Sequence, residues 1–223
     1  MKNHEQQTMM RWRRVVGTVL PAAMPVAMRS VFSATTNKFG KRRGYQAGFA
    51  IYWAICWASA AATVGPRRLI SAFQCNAHSV PAPRAFSVAV LAFPAVGAVL
   101  TQYLPNVRRA GPTATATAIG VGVTNALAEE AFWRAMPVAL FPDDRVRGWL
   151  WPAAGFTAWH LVPLRSARTD PGRIAMLLFG AGFIGLGYGW VVFKSRSVVA
   201  ALGPHAIVDA SGVRMAKTMW LGH

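Results

Sequence analysis

Five apolar stretches of roughly membrane-spanning length dominate the sequence. They cover about residues 46–64, 85–104, 113–140, 148–164 and 174–193. A sixth stretch, about 197–215, is interrupted by polar residues. A helix needs ~20 mainly apolar residues to cross the hydrocarbon core of a bilayer. The sequence therefore predicts an all-α fold, a polytopic transmembrane helix bundle with about 6–8 membrane segments.

The charged residues lie between the apolar stretches. The net charge is +17, and the 24 Lys and Arg residues are concentrated in short connectors rather than along one helix face. A domain that binds nucleic acid instead gathers its cations into a patch or stripe. Polytopic membrane proteins carry basic residues in their connectors. We therefore predict a lipid bilayer as the surroundings and no nucleic acid as a partner.

The N-terminal thirty residues combine a basic stretch with a short apolar one. Pro21 and Pro25 interrupt the apolar part, and no clear small-residue cleavage site follows. A cleaved signal peptide would have an uninterrupted apolar region before such a site. We interpret residues 15–28 as an interfacial or re-entrant segment.

The connector charges predict an orientation if residues 15–28 do not cross the bilayer. One side then holds sixteen Lys and Arg and the other seven. The richer side contains the N-terminal tail, the C-terminus and the connectors 29–43, 105–112 and 165–173. An excess of Lys and Arg is typical of the cytoplasmic side. If residues 15–28 did cross, this asymmetry would nearly vanish.

Three acids and two histidines fall inside the apolar stretches. They are Glu129, Glu130, His160, His205 and Asp209. A charged side chain at the bilayer centre costs ~2.5–3.5 kcal/mol on insertion scales. One such residue is readily explained as a contact between helices. Counted from the connectors, however, all but Glu130 lie roughly 14–20 Å below one surface at ~1.5 Å per residue. We therefore predict that three helices bring these groups to one level near mid-membrane.

Helical spacing assigns partners within this set. Glu130 and Arg134 are four residues apart with the acid first, the favourable order for an ion pair within a helix. That pair leaves Glu129, about 100° around the helix, unpaired by Arg134. Two further pairs have the same spacing: Phe156 with His160, and His205 with Asp209. Taken alone, Phe156 is best explained as a packing residue.

Three short motifs occur in order in separate apolar stretches. They are EEAFWR (129–134), which fits EExxxR, FTAWH (156–160), which fits FxxxH, and HAIVD (205–209), which fits Hxxx followed by Asn or Asp. Together they resemble the CPBP intramembrane proteases, the CAAX prenyl endopeptidase and bacteriocin-processing family. The resemblance covers roughly residues 113–215.

The resemblance implies a membrane endopeptidase with its active-site cavity inside the bilayer. Its substrate would be a peptide or a membrane-associated or prenylated protein. By analogy, Glu129 and His160 activate a water, and His205 and Asp209 stabilise the oxyanion. The supporting positions are Glu130, Arg134 and Phe156. The compact size fits the bacterial branch of the family, which implies a multi-pass protein of the bacterial cytoplasmic membrane.

Position 209 raises a chemical question, because an Asn side chain there could donate a hydrogen bond to an oxyanion. An ionised Asp cannot donate. Two hypotheses follow. Either Asp209 stays protonated, or it orients and charges His205, which then donates alone.

A metal is a second open question. Glu129, His160 and His205 could together bind zinc. However, HExxH is absent, and the two histidines lie in different stretches. No local zinc-ligand pattern is therefore visible. We expect catalysis without a cofactor, with zinc at these three residues as the alternative.

Other functions fit parts of the pattern. A non-catalytic membrane scaffold or a bacteriocin-immunity protein could keep the same fold, although the complete motif set argues against it. A transporter could use the buried groups as a proton relay. It would distribute them along a path across the membrane, whereas here they are expected at one level. No inverted repeat is evident either.

The expected organisation has four parts. A basic tail with its interfacial or re-entrant segment occupies residues 1–44, and a C-terminal tail occupies residues 216–223. Accessory helices at 45–112 precede a catalytic helix core at 113–215. The two cysteines, Cys56 and Cys75, are too few for a disulfide framework. The pattern fixes neither the substrate nor the oligomeric state.

Overall fold

The structure is a computed structural model that describes residues 2–74, 80–163 and 170–222, with side chains from residue 7 onward. Every regular element in these ranges is helical, and they contain no strand. The predicted all-α fold is therefore confirmed. Cys75 lies outside the described residues.

The helices follow one another with short connections. Their bounds are α1 Lys2–Val64, α2 Pro66–Ala72, α3 Arg84–Ala98, α4 Val107–Ala110, α5 Pro112–Glu130, α6 Met136–Leu140, α7 Trp151–Trp159, α8 Pro171–Ser195, α9 Val199–Ala210 and α10 Val213–Met215. π-Helical turns extend several of them: Val99–Tyr103, Ala131–Ala135, Val146–Leu150 and Ala216–Leu221.

Three of the described helices are long and apolar enough to cross a membrane. They are Gln7–Val64, Arg84–Tyr103 and Pro171–Ser195. The first consists of two arms, which count as two segments. The apolar helical segments in the described residues then approximately match the predicted 6–8. They are the two arms of α1, α3, α5 with α6, α7, α8 and α9. The predicted division of the chain at residues 44, 112 and 215 stays a prediction.

Helix α1 is a hairpin that turns at Gly40. Gly40 has φ 75° and ψ 171°, a conformation that glycine adopts at no steric cost. The two arms then pack closely. A Cβ on Gly44 would collide with the backbone of Thr36, and one on Gly48 would lie 2.8 Å from the ring of Phe32. These pairs are nearly symmetric about Gly40, so the arms run antiparallel.

The first arm continues through Pro21 and Pro25. A proline inside a helix removes one N–H and frees the carbonyl four residues earlier. Pro25 thus frees the carbonyl of Pro21, which faces α7 at Gly155. A Cβ on Gly155 would lie 2.5 Å from this oxygen. The glycine provides the room that this carbonyl needs.

One end of the bundle gathers the hairpin turn, the connector before α5 and the C-terminus. We call it the Gly40 end. The guanidinium of Arg42 donates a 2.9 Å hydrogen bond to the carbonyl of Leu221. The ammonium of Lys217 donates a 2.7 Å hydrogen bond to the carbonyl of Arg109. These segments were predicted to share a side.

The opposite end, which we call the Asp143 end, holds the connectors after α2, α6 and α8. Arg196 lies 3.5 Å from the carboxylate of Asp143. The backbone N–H of Val198 donates a 2.9 Å hydrogen bond to the carbonyl of Ala72. The connectors expected on the less basic side therefore do lie together.

The N-terminal tail lies at the Asp143 end, which corrects the predicted grouping of the tail with connector 29–43. The indole of Trp151 donates a 2.8 Å hydrogen bond to the carbonyl of Thr18. Arg11 and Arg14 line a cavity together with Arg147. The prediction was wrong because the two prolines do not interrupt the helix. Moving the four Lys and Arg of the tail to the other group removes most of the predicted charge asymmetry, so charge no longer orients the bundle.

Helices α5 and α9 form the contact that positions the polar cluster. A Cβ on Gly122 would lie 2.6 Å from the backbone N and 2.9 Å from Cα of Ala210. Small residues permit this close approach of two helix backbones, which is common in membrane bundles. Glu129 lies about two turns beyond Gly122 and His205 just over one turn before Ala210, so this contact brings the two motifs together.

Candidate active site

The two glutamates lie where the α5 helix changes into a π-helical turn. Helix α5 ends at Glu130, and the turn Ala131–Ala135 carries Arg134. Single π-helical turns are frequent at functional sites. Glu129 and Arg134 are 2% exposed, and Glu130 is fully buried.

Neutral aromatic donors hold the carboxylate of Glu129. The hydroxyl of Tyr52 and the indole N–H of Trp159 donate to Oε1, over 2.9 Å and 3.0 Å. The two rings stack with centroids 3.9 Å apart. The indole of Trp133 donates to the hydroxyl of Tyr52 over 2.8 Å. The second arm of α1 and helix α7 therefore fix the orientation of this carboxylate.

Glu130 forms the expected ion pair with Arg134. Nη1 of Arg134 lies 3.2 Å from Oε1 of Glu130. This approach is not aligned as a hydrogen bond, and within the described residues neither Nη atom has a hydrogen-bond partner. The guanidinium carbon lies 4.1 Å from the ring centre of Phe156, a cation–π geometry. The negative charge of Glu130 and the ring of Phe156 thus hold Arg134 in place.

His205 lies between three carboxylates. Its Nδ1 is 2.8 Å from Oε1 of Glu130. Its Nε2 is 3.3 Å from Oε2 of Glu129 and 3.7 Å from Oδ2 of Asp209. Both ring nitrogens therefore face carboxylate oxygens. Helix α9 supplies the histidine and one acid, and α5 supplies the other two acids.

His160 approaches the cluster from α7. Its Nδ1 lies 2.8 Å from the carbonyl oxygen of Phe156. A carbonyl can only accept, so Nδ1 carries the proton, and in the neutral imidazole Nε2 is then an acceptor. The ring of Phe156 contacts both histidines, with centroids 4.7 Å from His160 and 6.0 Å from His205. His160 is also near enough to Glu129 for an electrostatic interaction.

Asn125 is a site residue that the sequence analysis missed. Its amide donates a 2.9 Å hydrogen bond to Oδ2 of Asp209. Its own carbonyl oxygen accepts a 2.8 Å hydrogen bond from the indole of Trp53. A signal for Asn125 was present, because it is a polar residue in an apolar stretch, one turn before Glu129. No comparable signal marks Trp53.

The cluster is closed on one side and open on the other. Glu129, Glu130 and His205 are buried, whereas Asn125, His160 and Asp209 are only half-buried. The Asp209 side chain is 23% exposed. A substrate would therefore reach the buried acids past the half-buried residues.

The donor atoms of Glu129, His205 and Asp209 could hold a metal ion, because they lie within 4.8 Å of one another. The proposed zinc set had His160 in place of Asp209. Glu130 next to Nδ1 of His205 is the kind of carboxylate that commonly orients a metal-binding histidine. This donor set fits a divalent cation. The expectation of catalysis without a metal stays a prediction.

Residues 111–211 match the family model described as Type II CAAX prenyl endopeptidase Rce1-like. This segment is therefore similar to the Rce1-like family. The resemblance predicted from the three motifs is thereby confirmed, and the match covers 101 of the 223 residues. Neither a curated protein nor a solved structure matches the chain. The family match and the long apolar helices together support a membrane protein of the protease class.

The Rce1-like segment contains all of the motif residues but not all of the groups that contact them. It includes Asn125, Trp133 and Trp159. Tyr52 and Trp53 lie outside it, in the second arm of α1. The N-terminal hairpin therefore completes the hydrogen-bonding around the matched segment.

Proposed function

We propose that the chain is an intramembrane endopeptidase that hydrolyses a peptide bond in a membrane-associated or prenylated peptide or protein. The convergence of Glu129 and His205, 3.3 Å apart in the interior of the bundle, carries this proposal. Peptide hydrolysis needs a base for water and a donor for the developing oxyanion. An acid and a histidine held together in a water-poor interior can supply both.

Glu129 is the general base. It removes a proton from water as the water oxygen attacks the peptide carbonyl carbon. Tyr52 and Trp159 already occupy its Oε1, so the proton goes to Oε2, the oxygen that faces Nε2 of His205 at 3.3 Å. Nε2 of His160 accepts the second hydrogen of the water and thereby orients it.

His205 is the oxyanion donor. The attack turns the carbonyl oxygen into an oxyanion, and Nε2–H of His205 donates to it. The oxyanion then re-forms the carbonyl as the C–N bond breaks, and the leaving amine takes the proton that Glu129 holds. Glu130 holds the other ring nitrogen of His205 at 2.8 Å.

Asp209 acts by orienting and charging His205. Its Oδ2 lies 3.7 Å from Nε2 of His205, near enough to act on the charge of the ring, and the hydrogen bond from Asn125 holds it there. This supports the second of the two hypotheses for Asp209. Arg134 balances the charge of Glu130, and the ring of Phe156 holds Arg134 in position.

A divalent cation is the alternative at this site. Glu129, His205 and Asp209 would hold it, with Glu130 orienting His205 from the other ring nitrogen. Bound there, it would supply a Lewis acid that polarises the peptide carbonyl. Under either alternative, we place the chain as a multi-pass protein in the bacterial cytoplasmic membrane.

The test is proteolysis of a peptide library by the purified chain in liposomes. Wild type is compared with Glu129→Ala and His160→Ala, and with Asp144→Ala as a control in an exposed connector. We expect cleavage by wild type and by the control, and loss of cleavage in both site variants. Persistent cleavage by both folded site variants would rule out this mechanism.

A further inference from the structure

A second polar cluster lies at the Gly40 end, separate from the buried site. It surrounds a cavity of about 350 Å³. The lining residues are Asn106, Arg109, Ala110, Arg214, Lys217 and Thr218. They belong to the connector before α5 and to the helical segment after α9, so the cavity joins the ends of the two helices that carry Glu129 and His205.

Three cations face this cavity without an acid to balance them. Within the described residues, Arg109 and Arg214 are exposed and have no carboxylate partner. The ammonium of Lys217 donates one hydrogen bond to the carbonyl of Arg109 and keeps two N–H groups free. Segments 105–111 and 212–222 contain no Asp or Glu. A bound anion would therefore meet three positive charges and no repulsion from these segments.

Neutral polar groups complete the lining. The Asn106 amide donates one N–H to the carbonyl of Gln102 over 2.8 Å and keeps the second. The hydroxyl of Thr218 donates to the carbonyl of Arg214 over 3.1 Å, which leaves its oxygen able to accept a hydrogen bond. This mixture of charged and neutral groups matches a phosphate ester that carries a hydroxylated headgroup.

Exposed apolar side chains lie on the two segments that line the cavity. Leu100 and Leu104 are 58% and 55% exposed, and Met215 is 54% exposed. Leu100 and Leu104 are on the helical segment that leads to Asn106, and Met215 directly follows Arg214. An acyl chain attached to a phosphate in the cavity could lie against these side chains.

We propose that this cavity binds the phosphate group of an anionic phospholipid, with the acyl chains lying along the Leu100 and Leu104 surface. Basic pockets between membrane helices are known to bind anionic lipid head groups. The cluster is at one end of helices long enough to cross a membrane, where head groups are located. A free phosphate would satisfy the cations but would leave this apolar surface uncovered.

The test measures lipid binding to the purified full-length chain in detergent by native mass spectrometry. Phosphatidylglycerol is compared with phosphatidylcholine of the same acyl chains. Each cation near an anionic surface contributes a factor of about five in affinity. We therefore expect the double variant Arg109→Gln, Arg214→Gln to bind phosphatidylglycerol at least about tenfold more weakly.

Two exposed arginines at the Asp143 end provide the matched control. The double variant Arg67→Gln, Arg68→Gln removes the same charge and should bind phosphatidylglycerol as wild type does. Equal binding of the two lipids by wild type, or an equal loss in both double variants, would overturn the proposal. The helical circular dichroism of each variant checks that it is folded.

Inorganic phosphate separates two sources of the binding energy. If millimolar phosphate displaces phosphatidylglycerol from wild type, the phosphate group alone is sufficient for recognition. If phosphate does not displace a lipid whose binding still needs Arg109 and Arg214, the headgroup and acyl chains contribute as well. Either result supports the site, provided that the arginine variants lose binding.

Discussion

The amide of Asn125 donates a 2.9 Å hydrogen bond to the carboxylate of Asp209 and so links α5 to α9 beside the buried acids. The indole of Trp53 holds the other end of the same amide. Trp53 in turn stacks on Trp220, with centroids 5.8 Å apart and an interplanar angle of 3°. A chain of contacts therefore runs from the C-terminal segment to Asp209, and through it towards His205.

Exchanging the donor Asn125 and the acceptor Asp209 tests the hydrogen bond between α5 and α9. Asn125→Asp places two carboxylates together, and we expect a loss of unfolding free energy of about 1–2 kcal/mol. Adding Asp209→Asn restores a donor–acceptor pair, so the double variant should recover most of the stability. Peptide cleavage should stay low, because the charge has moved away from His205. Unfolding in detergent measures the first effect. A double variant no more stable than Asn125→Asp would contradict the link.

Two glycines on α5 provide a matched test of the helix contact. Gly122→Ala places a methyl group 2.6 Å from the backbone of Ala210, so α5 and α9 must separate. We expect a loss of about 1–3 kcal/mol in stability, as for other overpacked sites, and a loss of activity. At Gly120 an added Cβ meets nothing within 4 Å.

The control Gly120→Ala should therefore be neutral, or stabilising by up to about 1 kcal/mol, since alanine is the better helix former. Thermal unfolding of both variants in the same detergent gives the comparison. Equal behaviour of the two variants would show that the close contact at Gly122 is unimportant.

Tyr52 is expected to matter to the site although it lies outside the Rce1-like segment. Tyr52→Phe removes a donor from Glu129 and leaves the indole of Trp133 without its acceptor. Hydrogen bonds inside membrane proteins contribute about 0.6–2 kcal/mol each, so we expect a loss of 1–3 kcal/mol and a lower kcat. The control is Tyr103→Phe, at a half-buried tyrosine away from the site. A Tyr52→Phe variant as stable and active as this control would show that the hydrogen bond from Tyr52 to Glu129 does not support the site.

The sequence indicated the buried polar residues that the structure brings together, because charge in an apolar stretch is conspicuous. Glu129 and His205 carry an energetic cost in lipid, so each needs a partner, and their shared depth predicted that they would meet. Asn125 could have been added by the same reasoning.

The aromatic donors could not be predicted. Tyr52 and Trp159 are apolar enough to be explained by packing, and only their stacking in three dimensions aims both polar atoms at one carboxylate oxygen. The position of the N-terminal tail also escaped prediction. It depends on a helix that continues past Pro21 and Pro25, which in turn depends on Gly155 in a distant helix.

Metal analysis distinguishes catalysis without a metal from catalysis with a bound zinc ion. For catalysis without a metal, we expect far less than one zinc ion per chain in the purified protein and unchanged cleavage after chelation. About one zinc ion per chain would contradict that expectation, provided that the ion is lost in a folded Asp209→Ala variant together with activity. This variant separates binding at Glu129, His205 and Asp209 from binding elsewhere.

The most direct test of the central claim is the cleavage rate of Glu129→Gln on one identified peptide. This substitution keeps the shape of the side chain and removes the base. We expect the kcat of Glu129→Gln to fall by at least about a hundredfold, the low end of what a general base contributes. Asp143→Asn, which neutralises an exposed acid, should leave the rate unchanged. A folded Glu129→Gln protein that cleaves the peptide at the wild-type rate would contradict the assignment of Glu129 as the base.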